Sequence, residues 1–222
     1  MDIKEAIRNR HSVRQFSSDK ITGEVKLSLE KLIQECNEVS GLNIQLITED
    51  PECFNTLLSH YGKFSGVNNY IALVGDKKLS NLDELAGYYG EKIVLEAQML
   101  GLNTCWVAGT YGRGKCKAKV NPGEKIVCVI ALGYGLNSGK NHKSKALSKL
   151  CGVSESNMPE WFKEGIDAAL LAPTALNQQK FFISIDGEEA RIKAGFGSMT
   201  KLDMGIVRYN FEAASGHKCR TA

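Results

Sequence analysis

Residues 69–76, NYIALVGD, are the stretch that decides the fold. The run is apolar and ends in a Gly-Asp turn pair, which predicts a buried strand. Residues 79–100 follow with the apolar spacing of a long helix, and Gly101 supplies a typical C-terminal cap. Residues 125–135, KIVCVIALGYG, are a second apolar run that ends in glycines and predicts another strand. Buried strands and a long helix therefore alternate in the middle of the chain.

The remaining predicted elements flank this centre. Asp2 and Glu5 form a capping box, which predicts a short helix that ends near Arg10. A short buried element is predicted at residues 104–109. Further strands are predicted at residues 43–48 and 181–186, and further helices at residues 22–37, 159–172 and 202–215.

Composition and charge exclude several classes of protein. The 222 residues are 43% hydrophobic and 24% charged, enough for one large domain or two closely packed halves with a substantial core. The net charge of +3 permits an anionic ligand but is weaker than the basic stripe of most nucleic-acid-binding proteins. No apolar run approaches about 18 residues and no secretory signal is evident, so we expect no membrane segment and a cytoplasmic protein.

The sequence also lacks the common metal and catalytic motifs. Its seven cysteines form no CxxC pair and no Cys/His cluster at zinc spacing, so they are interpreted as reduced thiols, mostly in the core. No complete GxGxxG, GxSxG or HExxH motif occurs. Residues 133–140, GYGLNSGK, lack the spacing of a phosphate-binding P-loop. We therefore predict no metal site and no nucleotide triphosphatase.

Two stretches share a pattern that indicates an internal duplication. Residues 40–50 and residues 174–187 each contain small-small-Leu-Asn-x-Gln, followed by a strand and an acidic end. Each stretch also follows an amphipathic helix. The alternative is that two matches this short arose by chance. A duplication would divide the chain into a first half, residues 1–148, and a shortened second half, residues 149–222, packed as one integrated domain.

Residues 10–16, RHSVRQF, are the first candidate ligand site. In an extended segment Arg10, Ser12 and Arg14 point to one side, because side chains alternate along a strand. Two guanidinium groups and a hydroxyl on one side are suited to a phosphate. The alternative is a solvated basic turn that forms salt bridges with neighbouring acids.

Residues 170–179, LLAPTALNQQ, are the second candidate. A helix ends at a proline, and the small residues after it allow backbone N–H groups to approach a flat ligand. Asn177 offers both a donor and an acceptor to the edge of a heterocycle. The alternative is an ordinary loop between a helix and a strand.

Residues 101–112, GLNTCWVAGTYG, are the third candidate. This loop can place an apolar side chain on one face of a planar ring and a backbone N–H at its edge. The alternative is that Cys105 and Trp106 are simply core residues.

Together these three motifs resemble the flavin-dependent nitroreductase family, over most of the chain. The resemblance implies an α+β, nitroreductase-like FMN-dependent fold, in which antiparallel-rich central sheets are flanked by helices. The motif order departs from the family, because the strong Asn-Gln loop follows the Gly-Leu loop and the degenerate SGLNIQ occupies its usual place. A pseudo-dimer of two fused, related halves would explain this order, as in a divergent branch of the family.

The resemblance also implies which residues bind FMN. Arg10 and Ser12 would hold the phosphate with help from His11, and Arg14 would lie near the pyrimidine edge. Trp106 and Val107 would cover one ring face, and the N–H of Ala108 or Gly109 would meet flavin N5. The remaining implied contacts are Lys143 and Lys145 over the phosphate, and Pro173, Thr174, Ala175, Asn177 and Gln179 along the flavin. This inventory supplies one composite site, so we expect one FMN per chain.

The activity implied is that of an NAD(P)H oxidoreductase. NADH or NADPH would give hydride to flavin N5, and a small oxidised acceptor such as a nitroaromatic or a quinone would take it, with ping-pong kinetics and no side-chain acid or base. One alternative is a dehalogenase-like or flavin-consuming relative with a lid, for which residues 50–66 are the candidate. Another is a flavin-binding sensor or partner-binding protein with little turnover. An RNA-binding module is disfavoured, because no platform of stacking aromatics accompanies the basic residues. We expect a monomer, with a homodimer as the alternative.

Overall fold

A computed structural model describes residues 1–221 of the chain. Among these residues the helices are α1 (Ile3–Asn9), α2 (Gly23–Ser40), α3 (Leu57–Tyr61), α4 (Leu82–Met99), α5 (Glu160–Leu171) and α6 (Thr200–Ser215). The strands are β1 (Gln45–Ile47), β2 (Asn69–Asp76), β3 (Asn103–Val107), β4 (Glu124–Gly133), β5 (Phe181–Asp186), β6 (Glu189–Ala194) and β7 (Cys219–Thr221). No helix within residues 1–221 combines the length and apolarity needed to cross a membrane.

The described chain forms two compact units, each assembled from separate stretches. Unit 1 consists of Met1–Asn9, Asp83–Lys92 and the described residues of His142–Ala222. Unit 2 consists of Arg10–Leu82 and Ile93–Asn141. These bounds describe compactness, and the division into related halves after residue 148 stays a prediction.

Unit 2 is built on a four-stranded sheet in the order β1-β2-β4-β3, with every neighbouring pair antiparallel. Tyr70 of β2 faces Ala131 of β4, and a bulge lies between Leu73 and Val74. Both central strands are buried along most of their length, which explains why their sequences are continuous apolar runs rather than alternating ones. The sheet therefore supports the loops of unit 2.

Unit 1 combines the α5 and α6 helices with a three-stranded sheet in the order β5-β6-β7. Strands β5 and β6 are antiparallel, whereas β6 and β7 are parallel. The rings of Phe162 and Phe211, both fully buried, lie 5.7 Å apart between the two helices. The predictions omitted β6 and β7. Residues 189–194 do alternate charged and apolar side chains, which is a strand signal that was missed, whereas β7 has only three residues and carries almost no pattern.

Most predicted elements are confirmed. Residues 69–76 and 181–186 are strands with the predicted bounds. The capping box is present, with the Glu5 N–H donating to Asp2 Oδ1 at 2.8 Å and the Asp2 N–H donating to Glu5 Oε2 at 3.2 Å. Helix α2 continues three residues beyond the predicted end, to Ser40, where Gly41 closes it in the left-handed conformation. The α+β class with antiparallel-rich sheets is therefore correct.

Helices α4 and α6 approach each other at backbone distance within unit 1. A Cβ added to Gly87 would lie 2.1 Å from the carbonyl oxygen of Leu202, and one added to Gly205 would lie 2.0 Å from that of Glu84. Arg208 forms an ion pair with Glu84 at the same crossing. Since the opposing atoms belong to the backbone, they cannot turn away as a flexible side chain could, and both positions require glycine.

The variant Gly205→Ala is expected to destabilise the protein by about 2–3 kcal/mol, although alanine is ordinarily the better helix former by about 1 kcal/mol. Urea unfolding at equilibrium measures the effect. Gly216→Ala is the matched control, because Gly216 has a φ of 71° but no atom within 4 Å of an added Cβ, and it should lose roughly 1 kcal/mol or less. A Gly205→Ala protein as stable as the wild type would contradict the backbone contact.

Candidate functional site

The extended segment of residues 12–17 is held in unit 2 by backbone hydrogen bonds on several sides. The Val13 N–H donates to Thr104 O at 3.0 Å, next to strand β3. The Phe16 N–H donates to Ser65 O at 3.0 Å, and the Ser17 N–H donates to Tyr134 O at 2.8 Å. Val13 and Phe16 bury their side chains in the core. Because backbone and apolar side chains are fixed together, the polar side chains of this segment have a defined direction.

Arg10, Ser12 and Arg14 all act on the Cys105 side chain. Burial raises the pKa of the Cys105 thiol, and this increase is opposed by the Arg14 charge, by a hydrogen bond from Ser12 and by the Arg10 charge. Arg10 is 3% exposed, whereas Arg14 is exposed and stands 5.9 Å from the centre of the Phe64 ring. The segment therefore places two positive charges and a hydroxyl near β3.

The loop that follows β4 packs directly against the same segment. A Cβ added to Gly139 would lie 2.7 Å from the Cβ of His11 and 3.1 Å from Ser12 O, and Gly139 has a φ of 73°. Asn137 Nδ2 donates to Gln15 Oε1 at 3.2 Å, and the Gly139 N–H donates to Asn137 Oδ1 at 3.0 Å. The sequence reading assigned this glycine-containing loop no role, since the P-loop spacing is absent. In the sequence, Asn137 and Gly139 are residues typical of a tight turn, and this pair could have indicated the loop.

Residues 106–109 leave strand β3 at the edge of the sheet. Trp106 is half-buried opposite Ile130, and Val107 is buried. The carbonyl of Ala108 accepts a hydrogen bond from Arg113 Nη2 at 3.1 Å. Gly109 is exposed, and a Cβ there would meet no atom within 4 Å. The loop thus offers a partly exposed aromatic face followed by an open backbone position, which a planar ring can approach.

In unit 1 the loop of residues 173–179 has an unusual backbone. Leu176, Asn177 and Gln179 have φ values of 51°, 53° and 43°, in the left-handed region that non-glycine residues rarely adopt. The Gln179 N–H donates to Thr174 Oγ1 at 3.0 Å across the loop. Three such residues within four positions require strong tertiary hydrogen bonds to hold them.

The HKSK segment, residues 142–145, supplies part of that support. Asn177 Nδ2 and Gln179 Nε2 both donate to Lys143 O, at 3.0 and 2.9 Å. Gln179 Oε1 accepts the Lys145 N–H at 2.8 Å, and Lys145 Nζ donates to Gln178 O at 2.6 Å. The predicted lysines and the predicted Asn-Gln loop are therefore in contact. The amide of Gln179, which is 2% exposed, is fully engaged in this contact.

Asp203, which the sequence reading did not select, holds the other side of the loop. Its Oδ1 accepts the Ala175 N–H at 2.9 Å, and its Oδ2 accepts Gln178 Nε2 at 2.7 Å. The side chain is buried, and this burial raises the pKa of Asp203 against the lowering effect of those two hydrogen bonds. In the sequence Asp203 is only an acidic residue in the first turn of α6, which is common in helices, and its burial becomes visible only in the structure.

The predicted site residues thus fall into two sets, each gathered within one unit. Unit 2 holds Arg10, His11, Ser12, Arg14, Trp106, Val107, Ala108 and Gly109. Unit 1 holds Lys143, Lys145, Pro173, Thr174, Ala175, Asn177 and Gln179. Within residues 1–221 no group of three or more His, Cys, Asp or Glu side chains is arranged to hold a metal ion.

The α+β fold is nitroreductase-like. The family model described as "Putative TM nitroreductase" matches residues 2–215, so the chain belongs to that family. A crystal structure of a "putative nitroreductase" from Thermotoga maritima is 24% identical, with a TM-score of 0.67, over 96% of this chain and 83% of that one.

Two further structures share the fold at lower identity. A "putative nitroreductase in complex with FMN" from Desulfovibrio desulfuricans is 20% identical, with a TM-score of 0.52, over 71% of this chain and 98% of that one. A nitroreductase-like protein from Streptococcus mutans is 11% identical, with a TM-score of 0.56, over 68% of this chain and 97% of that one. No curated protein matches the chain.

The variant Gln179→Ala is expected to destabilise the protein by about 2 kcal/mol, because it removes the three partly buried hydrogen bonds that hold the strained loop. Thermal and urea unfolding measure this loss. Gln34→Ala is the control, since the exposed Gln34 side chain bonds only to Glu38, at 2.9 Å, and should change stability by less than about 0.5 kcal/mol. Equal effects of the two substitutions would contradict the supporting role of Gln179.

The penalty of Asp203→Asn is expected to shrink as the pH rises. Because the folded-state pKa of Asp203 lies above its ordinary value of 3.8, its stabilising contribution is complete below that value and is lost as the pH rises through the folded-state pKa. Asparagine does not titrate, so the difference in unfolding free energy between wild type and variant should be largest in acid. Urea unfolding between about pH 4 and pH 7 tests this. A difference that grows toward pH 7 would show that the pKa is lowered.

Proposed function

We propose that this protein is an FMN-dependent oxidoreductase of the nitroreductase type. When bound, FMN supplies two-electron transfer from NADH or NADPH to a small oxidised acceptor, such as a nitroaromatic or a quinone. Membership of the nitroreductase family supports this assignment, as does the FMN in the fold relative from Desulfovibrio desulfuricans. The observation that carries the proposal is that Arg10, Ser12 and Arg14 all act on the same side chain, Cys105 of β3.

These residues fit an FMN phosphate, which carries between one and two negative charges at neutral pH. Arg10 and Arg14 offer planar, multidentate donors, and Ser12 offers a hydroxyl donor. Arg10 is buried, so its charge is less screened by water than that of a surface arginine, and a phosphate is the ligand that best compensates it. His11 and Gly139 pack closely beside the segment and limit its movement.

The ring system of the cofactor is assigned to the loop of residues 106–109. Trp106 and Val107 offer apolar surface, and the exposed backbone at Gly109 leaves room for the edge of a planar group. Arg113 donates a hydrogen bond to the Ala108 carbonyl, and this bond fixes the orientation of the adjoining peptide groups. The chain's role is thus to bind and orient, without a side-chain acid or base.

The unit 1 set stays assigned to FMN contact by family resemblance alone. Lys143 and Lys145 provide positive charge, and Asn177 keeps one amide hydrogen beyond its bond to Lys143. Pro173, Thr174, Ala175 and Gln179 shape the loop that presents these groups. Since Gln179 is fully engaged in its own loop, its role is to position Asn177 rather than to touch the cofactor.

The proposal predicts that Arg10→Lys weakens FMN binding about tenfold or more while leaving riboflavin binding unchanged. Lysine keeps the charge but loses bidentate contact with phosphate, and riboflavin has no phosphate to lose. Quenching of flavin fluorescence during titration of the apoprotein measures both affinities. Arg8→Lys, an exposed position in α1, is the matched control and should change neither.

Two outcomes would contradict the proposal. If Arg10→Lys weakened both flavins equally, the segment would not be the phosphate site. If the wild type retained FMN but NADH and NADPH failed to bleach it, a flavin-binding sensor would be favoured over an enzyme. A ratio near one FMN per chain is expected, and a ratio near two would exclude a single site.

A further inference from the structure

A pair of thiols in unit 2 lies outside every residue assigned to FMN. Cys53 belongs to the short turn of Glu52–Phe54, and Cys116 follows the turn of Arg113–Lys115. The Gly112 N–H donates to Cys53 O at 2.8 Å, and Lys115 Nζ pairs with Glu52 Oε2 at 3.0 Å. Cys53 belongs to the buried apolar cluster of unit 2, and Cys116 packs against the same cluster. The two turns are therefore joined by a backbone hydrogen bond and an ion pair, and their two thiols interact.

The surroundings of the two sulfurs differ. The interaction with the Cys53 thiol, together with a hydrogen bond from the Ala118 N–H, lowers the pKa of Cys116 to about 6, against burial and the Asp50 charge. Cys53, by contrast, is fully buried, and its pKa is raised by its hydrogen bond to Cys116. Of the two sulfurs, Cys116 is therefore the one that loses its proton more readily.

The charged and polar groups that face the pair form a connected network. The Tyr70 hydroxyl donates to Asp50 Oδ2 at 2.8 Å and accepts the Lys117 N–H at 2.9 Å. Lys117 Nζ forms an ion pair with Asp50 Oδ1 at 3.0 Å. Asp50 is buried, so its charge is compensated within the network instead of by water. The network therefore fixes the position of the Tyr70 hydroxyl, and Lys117 balances the charge of Asp50.

We propose that Cys53 and Cys116 form a dithiol site that reacts with hydroperoxides, with Cys116 as the nucleophile and Cys53 as the resolving thiol. The Cys116 thiolate attacks one peroxide oxygen and the O–O bond breaks, which gives a sulfenic acid and releases the other oxygen as an alcohol or water after it takes a proton. The Cys53 sulfur then attacks the Cys116 sulfur, and hydroxide leaves as water with the Cys53 proton. Two thiols are oxidised to a disulfide, one peroxide bond is reduced, and a cellular dithiol returns the pair to its reduced form.

The position of the pair suits this chemistry. Both cysteines lie in turns rather than in strands, so the sulfurs can approach bonding distance without disturbing the sheet. Of the seven cysteines, all of which lie in the described part of the chain, only Cys116 is partly exposed and the other six are buried. A peroxide in solvent therefore reaches Cys116 first.

The experiment exposes the reduced, purified protein to a small excess of hydrogen peroxide at neutral pH and maps its thiols by mass spectrometry after alkylation and digestion. We expect a disulfide between the peptides that contain Cys53 and Cys116, with a loss of two hydrogens per chain. In Cys53→Ser, a sulfenic acid on Cys116 should persist long enough to be trapped by dimedone.

Cys151→Ser is the matched control, since Cys151 is buried and burial raises its pKa. This variant should form the Cys53–Cys116 disulfide at the wild-type rate, whereas Cys116→Ser should form none. The proposal is overturned if native wild-type protein forms no such disulfide, or forms it only after unfolding in urea. Because the disulfide is mapped in the wild-type protein, the result does not depend on whether a variant folds. Because the peptides are identified by mass, it also does not depend on FMN binding.

Discussion

The fixed backbone of residues 12–17 is the constraint on which the rest of unit 2 depends. Its hydrogen bonds to Thr104, Ser65 and Tyr134 join the edge of the sheet to two loops that are distant in the sequence. A buried backbone must pair its N–H and C=O groups, so this segment cannot slide without breaking several bonds together. A shift by one residue would also turn Arg10 and Arg14 to the opposite side. Backbone pairing, rather than side-chain contact, therefore sets where the positive charge lies.

In unit 1 the main constraint is the strained backbone of the loop of residues 173–179. The left-handed backbone at Leu176, Asn177 and Gln179 lowers the stability of the fold, and no glycine in the loop relieves the strain. The compensation comes from Asp203 on one side and the HKSK segment on the other. As a result, amide groups that the motif suggests for ligand contact are largely engaged in holding the loop itself. Strain at such a position is commonly associated with a functional requirement for one backbone shape.

The cysteines of unit 2 show how environment sets the chemistry of one residue type. Cys105 lies beside two guanidinium groups, yet its burial outweighs their charges and raises its pKa. Cys116 is partly exposed, and the donors that point at its sulfur outweigh burial and lower its pKa. Hydrogen bonds to the charged form are short-ranged and directional, so the donors Cys53 and the Ala118 N–H outweigh burial at Cys116, whereas the charges near Cys105 do not outweigh its burial. Proximity to positive charge alone would have selected the wrong thiol.

The sequence alone determined the elements with strong local signals and the identity of the motifs. Apolar runs gave β2 and β5 their bounds, a capping box gave the start of α1, and the alternation of Arg10, Ser12 and Arg14 gave their common direction. These features follow from periodicity and capping, which depend on neighbours along the chain.

Tertiary structure decided what depends on residues far apart in the sequence. Strand β7, with only three residues, is a strand only because it pairs with β6. Gly87 and Gly205 matter only because two helices cross there, and Asp203 matters only because the strained loop packs above it. The pairing of Cys53 with Cys116 likewise has no spacing signal, since the turns that carry them are joined by the fold. Long-range contacts carry no periodicity, and that is the physical reason the sequence could not reveal them.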